Sequence, residues 1–319
     1  MYMKRCLQLA ENGLLTARPN PMVGAVIVHD GRIIGEGYHI KCGEGHAEVN
    51  AFASVSAEDE ALLPQSTMYV SLEPCSHYGK TPPCADLIIK KGVRKVVVGC
   101  VDPFAKVQGR GIEKLRTAGI DVTEGVLKAQ CLWLNRRFIT YHTQHRPYIL
   151  LKWAQTVDGF LDDHFSPIAL STPFTRMLVH KLRSEYEAIV VGRTTDDREH
   201  PQLNVRYWSG PNPKRYVLSR SKKSANSAAK MSPTVFSSIA DLLAKLYEDG
   251  VQSLLVEGGP MTHQSFIDAG LWDEIRVETS PKVVGVGTRV AFLPSNIRLL
   301  KQEFYDKNVI ETYVSNYEC

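Results

Sequence analysis

The chain has 319 residues, 44% of them hydrophobic and 23% charged, with a formal net charge of +4. That length predicts two domains, each able to bury its own core, and the composition excludes a disordered or fibrous chain. So small a charge leaves no footprint for nucleic acid but suits a phosphorylated substrate. No apolar run reaches the roughly 18 residues of a membrane span.

Taken in chain order, Met1 to Leu15 reads as a short amphipathic helix rather than a targeting segment. Val23–Val28 is a buried strand, and Asp30-Gly31 turns it into a second strand at Arg32–Gly37. A helical pattern runs from His46 to Val55, and Thr67–Leu72 is again a buried strand. Pro82-Pro83 opens a helix that carries Cys84 in its first turn. A strand at Lys95–Gly99, a helix at Gly111–Ala118, a strand at Ile120–Val122 and one longer helix, Ala129–Tyr141, complete this half. Such alternation predicts an α/β layer fold. The polar stretch from Thr140 to Pro147 reads as the junction, dividing the chain into 1–144 and 145–319.

The second half repeats the style. Strands are expected at Tyr148–Ala154, Ala188–Gly192, Arg215–Leu218 and Ser253–Glu257. Thr172 caps a helix with Pro173 at its first position, and further helices run from Ile239 to Tyr247 and from Met261 to Ala269. Residues 219–233, rich in Ser, Lys and Ala, read as a surface loop. Glu257-Gly258-Gly259-Pro260 joins a strand to a helix N-terminus, a shape that accepts an anion such as a pyrophosphate. No Gly-x-Gly-x-x-Gly fingerprint follows a strand, so a Rossmann domain is not supported.

Chemistry is concentrated in His46-Ala47-Glu48 and in the run from Leu72 to Cys84, with eight residues between Cys75 and Cys84. One imidazole and two thiolates are three zinc ligands, which leaves the fourth position for water. Glu48, two residues from His46, is placed to take a proton from that water and return it. This is the donor set of a nucleobase-deaminase site, with Glu as a non-ligand acid/base. A purely structural zinc would lack a fourth ligand, His77 being the one spare nearby, and would leave Glu48 unexplained. Seven cysteines, an odd number with metal-like spacing, point to a reducing cytoplasm and to free thiols at Cys6, Cys42, Cys100, Cys131 and Cys319.

Several of these segments together resemble the bifunctional deaminase/reductases of riboflavin biosynthesis. In the first half they are Asn20-Pro21-Met22-Val23-Gly24, Gly37-Tyr38-His39, His46-Ala47-Glu48, Glu73 to Cys84, Asp102-Pro103 and Gly109-Arg110-Gly111. In the second they are Leu151 to Gly159, His180 to Arg183, Pro201 to Arg206 and Glu257 to Pro260.

The resemblance implies a cytidine-deaminase-like three-layer domain followed by a dihydrofolate-reductase-like domain, with zinc and NADPH as cofactors. It implies deamination of 2,5-diamino-6-ribosylamino-4(3H)-pyrimidinone 5′-phosphate, then reduction of its ribosyl group to ribityl. His46, Cys75 and Cys84 would bind zinc, Glu48 would shuttle protons, and Asn20 and His39 would hold the pyrimidine or its ribose phosphate. In the reductase, Lys152, Ser171, Thr172, Arg183, Leu203, Arg206 and Glu257 are the substrate candidates. Ala154, Thr156, Thr195, Glu199, Ser219, Gly258 and Gly259 would lie near NADPH, with Glu199 catalytic. The family also implies a homo-oligomer formed through the reductase half. Two departures stand out: Glu199-His200-Pro201 replaces the family's usual Asp-Asp-Pro, and Ser219 stands where an Asp is common. They keep open a monofunctional deaminase whose second half only binds ligand or dimerises. A nucleic-acid-editing deaminase would need a basic stripe with interleaved aromatics, which neither half carries.

Overall fold

The computed structural model describes residues 1–78, 82–102, 109–219 and 233–316. Gly79-Lys80-Thr81, Pro103, Cys319 and most of the 219–233 loop lie outside them. The chain divides into two compact units, Met1–His145 and Arg146–Cys319.

The first unit runs α1 (Tyr2–Glu11), β1 (Gly24–His29), β2 (Arg32–Tyr38), α2 (Ala47–Ala53), β3 (Thr67–Leu72), α3 (Cys84–Lys90), β4 (Lys95–Cys100), α4 (Arg110–Thr117), β5 (Asp121–Glu124), α5 (Lys128–Leu134) and α6 (Arg136–Gln144). Its sheet has the order β2-β1-β3-β4-β5. The β1 strand is antiparallel to β2 and β3, whereas β3, β4 and β5 run parallel. Asp30 and Gly31 both take positive φ, 43° and 81°, the twist that a two-residue hairpin requires.

Strand alternation sorts the side chains of β1 into two cores. Ala25 and Ile27 pack with Ala51, Phe52, Ala85, Ile88, Ile112 and Leu115, from α2, α3 and α4. Val26 and Val28 pack on the opposite face with Met3, Cys6 and Leu9 of α1 and Cys131 of α5. Helices on both faces of one sheet make three layers.

One expected element is divided. The single helix from Ala129 to Tyr141 is two, α5 and α6, separated at Asn135. That buried side chain accepts from Met22 N–H at 2.8 Å and donates to Met22 O at 2.9 Å. A side-chain amide that replaces a sheet partner for a distant backbone gains more there than helical periodicity can signal.

The second unit runs β6 (Tyr148–Thr156), α7 (Pro173–Glu185), β7 (Ala188–Gly192), α8 (Arg193–Glu199), β8 (Lys214–Leu218), β9 (Thr234–Phe236), α9 (Ile239–Glu248), β10 (Ser253–Val256), α10 (Pro260–Asp268), β11 (Glu274–Ser280), β12 (Ile297–Tyr305) and β13 (Asn308–Ser315). The sheet order is β12-β13-β11-β6-β10-β7-β8-β9. From β11 to β9 all neighbours are parallel, and β13 and β12 close the edge antiparallel. Thr172 caps α7 in a capping box with Thr175, and Pro173 is its first residue. The three last strands and α8 have no counterpart in the sequence reading. The α8 segment, Arg-Thr-Thr-Asp-Asp-Arg-Glu, has no apolar face, so no periodicity announces it; buried Asp196 anchors it by accepting from Arg215.

Replacing Asn135 with Ala removes the partner of two half-buried backbone groups of Met22 and should destabilise the first unit by about 1–2 kcal/mol. Urea unfolding followed by a probe in that unit measures it.

Candidate functional site

Three segments deliver the candidate metal donors. His46 is the N-cap of α2, so its ring lies at the helix mouth while Glu48 sits in the first turn, buried. Cys75 follows the end of β3, and Cys84 is the first residue of α3 after Pro83. His46 Nδ1 lies 3.6 Å from Cys75 Sγ and 3.4 Å from Cys84 Sγ. All three donor atoms fall within 4.8 Å of one another. The Cys84 backbone N–H donates to Cys75 Sγ at 3.3 Å.

The Cys84 thiol, followed by His46, holds Cys75 down at about 4, and the same contact together with burial pushes Cys84 up. Burial, reinforced by the Cys75 charge, raises the Glu48 carboxyl to about 7. A group poised near neutrality both accepts and returns a proton.

Asn20 and His39 join this constellation. His39 is buried, and its Nδ1 pairs with Gly45 O at 3.1 Å, so Nδ1 carries the proton. Its Nε2 therefore accepts from Asn20 Nδ2, 3.0 Å away. Burial lowers the His39 pKa and keeps the ring neutral. The ring stands edge-on to His46, with centroids 5.2 Å apart.

In the second unit the expected residues fall into separate groups. Thr195, Glu199, Ser219 and Gly259 line a cleft of about 1430 Å³, together with Asp162, Arg198, Ser238 and Thr262. Glu199 ends α8 on the cleft wall, where partial burial and the nearby Asp162 raise its carboxyl above the usual range.

A second group is ionic. Arg183 binds Glu257 through two hydrogen bonds of 2.7 Å, with side chains 11% and 8% exposed. Arg183 also donates to Asn204 O at 3.2 Å, and the Arg206 N–H donates to His180 Nδ1 at 3.1 Å. Lys152 projects from β6 toward this pair; burial lowers its pKa while Glu257 and Glu278 oppose that shift. Leu203 is buried in the adjoining core.

The remaining expected residues are engaged locally. Ser171 donates to Glu278 at 2.7 Å, Thr172 caps α7, and the Thr156 hydroxyl accepts from Phe160 N–H at 2.9 Å. Ala154 lies on β6 and Gly258 follows β10; neither they, nor Ser171, Thr172 and Thr156, line the cleft. Glu278, which also accepts from Thr175 and Asn308 at 2.6 Å, went unnoticed in the sequence because its strand did. Its signal is Arg276-Val277-Glu278, a charged–apolar alternation.

Residues 1–100 match the cytidine and deoxycytidylate deaminase zinc-binding region, and residues 147–310 match the RibD C-terminal domain. The riboflavin biosynthesis protein RibD of Aquifex aeolicus is 38% identical over 92% of this chain and 89% of its own length. That of Escherichia coli is 33% identical over 90% and 89%.

The chain belongs to the RibD family.

A Thermotoga maritima deaminase/reductase crystal structure superposes with a TM-score of 0.88 at 37% identity, covering 98% of this chain and 97% of that one. An Acinetobacter baumannii RibD structure gives 0.86 at 30% identity, covering 98% of each. The first unit is thus cytidine-deaminase-like and the second dihydrofolate-reductase-like. Like other RibD proteins, the chain is a bifunctional enzyme of riboflavin biosynthesis, a zinc-dependent deaminase and an NADPH-dependent reductase. The match over 147–310 disfavours a second half that only binds or dimerises. Among the described residues, no helix is long and apolar enough to cross a membrane.

The residues present fit both cofactors. Tetrahedral zinc, with Zn–S of about 2.3 Å and Zn–N of about 2.0–2.1 Å, separates a sulfur from a nitrogen ligand by about 3.6 Å. The observed 3.4 and 3.6 Å match that span. The cleft exceeds the roughly 300–1,000 Å³ of ordinary ligand sites and receives the N-termini of α9 and α10, donors for a dinucleotide's phosphates.

Breaking the buried Arg183–Glu257 pair should be costly. Arg183→Leu is expected to destabilise the second unit by about 3–5 kcal/mol at pH 7, read from denaturant unfolding. Although burial pushes the Glu257 carboxyl up, Arg183 holds it below its usual value overall. The pair's contribution is therefore present above the unfolded carboxyl's pKa of about 4.3 and is lost as pH falls through the folded value. The gap between wild type and variant should narrow on acidification.

Proposed function

We propose that this chain performs two consecutive steps on one phosphorylated pyrimidine. The first is hydrolytic deamination of 2,5-diamino-6-ribosylamino-4(3H)-pyrimidinone 5′-phosphate, consuming water and releasing ammonia. The second is reduction of the ribosyl group to ribityl with NADPH. The observation that carries the reading is a buried Glu48, two residues from His46 in the first turn of α2, beside three converged metal donors, in a chain that also holds a dinucleotide-sized cleft.

His46, Cys75 and Cys84 hold zinc, which when bound supplies Lewis-acid activation of the attacking water. Glu48 takes the water's proton and delivers it to the leaving amine. Asn20, oriented by neutral His39, turns its amide oxygen toward a donor on the pyrimidine. In the reductase, Thr195, Glu199, Ser219 and Gly259 surround the cofactor, which supplies the hydride, with Gly258, Ala154 and Thr156 behind them. Glu199 is the catalytic carboxylate, and Lys152 offers its ammonium to the sugar. Arg183 and Glu257 shape that end of the site, and Arg206, with Ser171, Thr172 and Leu203, defines where the substrate phosphate lies. The functional boundary falls near residues 144–145, and the enzyme works in the cytoplasm as a homo-oligomer through its reductase half.

Zinc-loaded protein given the diaminopyrimidine should release ammonia without NADPH and yield the ribityl product with it. Recovery of ammonia but no ribityl product would overturn the second step. Glu48→Gln should keep zinc and lose deamination by about 10²–10⁴-fold, while reducing supplied deaminated substrate normally. Glu199→Gln should slow NADPH oxidation and spare deamination, whereas Glu199→Asp should be tolerated. Unchanged reduction in both Glu199 variants would make it a solvated carboxylate at the end of α8 with no part in the reaction.

A further inference from the structure

Glu73 stands two residues before Cys75 and is buried. Its Oε2 accepts from the backbone N–H groups of Asp102 at 3.2 Å and Gly109 at 2.9 Å. Its Oε1 accepts from those of Gly111 at 2.8 Å and Ile112 at 3.3 Å. A carboxylate offers about four lone-pair sites, and here backbone donors take all of them. The Glu73 N–H itself donates to Cys100 O at 2.9 Å, so the residue is tied to β4 through its backbone and to α4 through its side chain. Its charge lies where the α4 dipole favours an anion.

An ordinary helix cap takes its acceptor from the adjoining residue. Here the acceptor comes from another strand, next but one to a proposed metal ligand. The first turn of α4 also presses on the intervening residue: a Cβ on Gly111 would lie 1.9 Å from Pro74 O. On the other side Cys75 is held by α3, since its carbonyl accepts from Ala85 N–H at 3.1 Å and its sulfur from Cys84 N–H at 3.3 Å. The Glu73–Pro74–Cys75 tripeptide is thus clamped between two helix N-termini, and Glu73 sets its distance from one of them.

We propose that Glu73 is a positioning residue for deamination, fixing the Cys75 sulfur in the ligand triangle by anchoring its stem to α4. The inference rests on His46, Cys75 and Cys84 being the metal ligands. Nothing in it requires Glu73 to touch substrate or metal.

Glu73→Gln keeps the length of the side chain but turns an NH2 group toward two of the four N–H donors. Three readouts are expected to move together. The d–d and thiolate-to-cobalt bands of the Co²⁺-substituted full-length enzyme shift. Apparent zinc affinity and deaminase kcat each fall about 10–100-fold, with KM little changed, as for other groups that orient metal ligands. Reduction of supplied deaminated substrate stays at the wild-type rate. Gly111→Ala, which displaces α4 from Pro74, should reproduce the spectral shift. Where Glu73→Gln yields no folded first unit, Glu73→Asp, with the charge kept and the reach shortened, serves for the same comparison. Wild-type spectra and zinc affinity in these variants, even with a lowered melting temperature, would make Glu73 a helix cap alone and overturn the proposal. Cys75→Ser separates the two readings: if it leaves the cobalt spectrum unchanged, the ligand assignment fails; if it alters the spectrum while the Glu73 variants do not, only the positioning role fails.

Discussion

Three donor atoms from separate chain segments must meet within about 3.6–3.8 Å if zinc is to bind them all, and the first unit is arranged around that requirement. One donor caps α2, one ends the stem after β3, and one opens α3. Parallel pairing of β3 with β4 brings Leu72 level with Cys100, so the stem leaves the sheet beside the end of β4. The Cys84 N–H spent on Cys75 Sγ belongs to the first turn of α3, where the helix leaves its amides without intrahelical partners. Cys75 is therefore stabilised as a thiolate by the same helix start that presents Cys84. Glu48 experiences the opposite influence. It is buried against the sulfur charge, and its carboxyl rises where a surface glutamate would stay low.

The second unit handles charge differently. Arg183 and Glu257 satisfy one another with two short hydrogen bonds, and Glu278 is satisfied by Ser171, Thr175 and Asn308. Both carboxylates bias the potential around Lys152 without pairing with it directly. Fixed, fully bonded charges of this kind need little reorganisation and hold the local potential constant. Thr156 and Thr172 act in the same spirit at smaller scale. Their hydroxyls hold the ends of β6 and α7, the elements that frame the site.

Glu199 and His200 have a local setting. Glu199 closes α8, a helix with no apolar face that is held through Asp196 and Arg215. Its position follows from that anchor and from Leu203, buried beyond the turn, more than from its own contacts. A glutamate at the end of such a helix has room to reach into the cleft, and the neighbouring Asp162 raises its carboxyl further.

Much of this protein was determined by its sequence alone. Two periodicities, 2 and 3.6, marked most strands and helices, and the pieces His46-Ala47-Glu48, Cys75 and Cys84 named the metal chemistry because ligand identity is a property of side-chain type. The same local logic located the Thr172 cap and the hairpin at Asp30-Gly31. What stayed hidden was set by partners distant in sequence. Asn135 divides a helix that local pattern joins, because its amide is bonded to Met22. Arg183 on α7 pairs with Glu257 beyond the end of β10, 74 residues away in sequence, and Glu278 lies on a strand whose alternating charges hide its burial. In the sequence Glu73 is only the start of a motif segment; in the fold four backbone amides from beyond β4 converge on it. Local pattern reports what a segment prefers by itself; a buried polar group must be satisfied wherever its partner lies, and only the tertiary fold decides where that is.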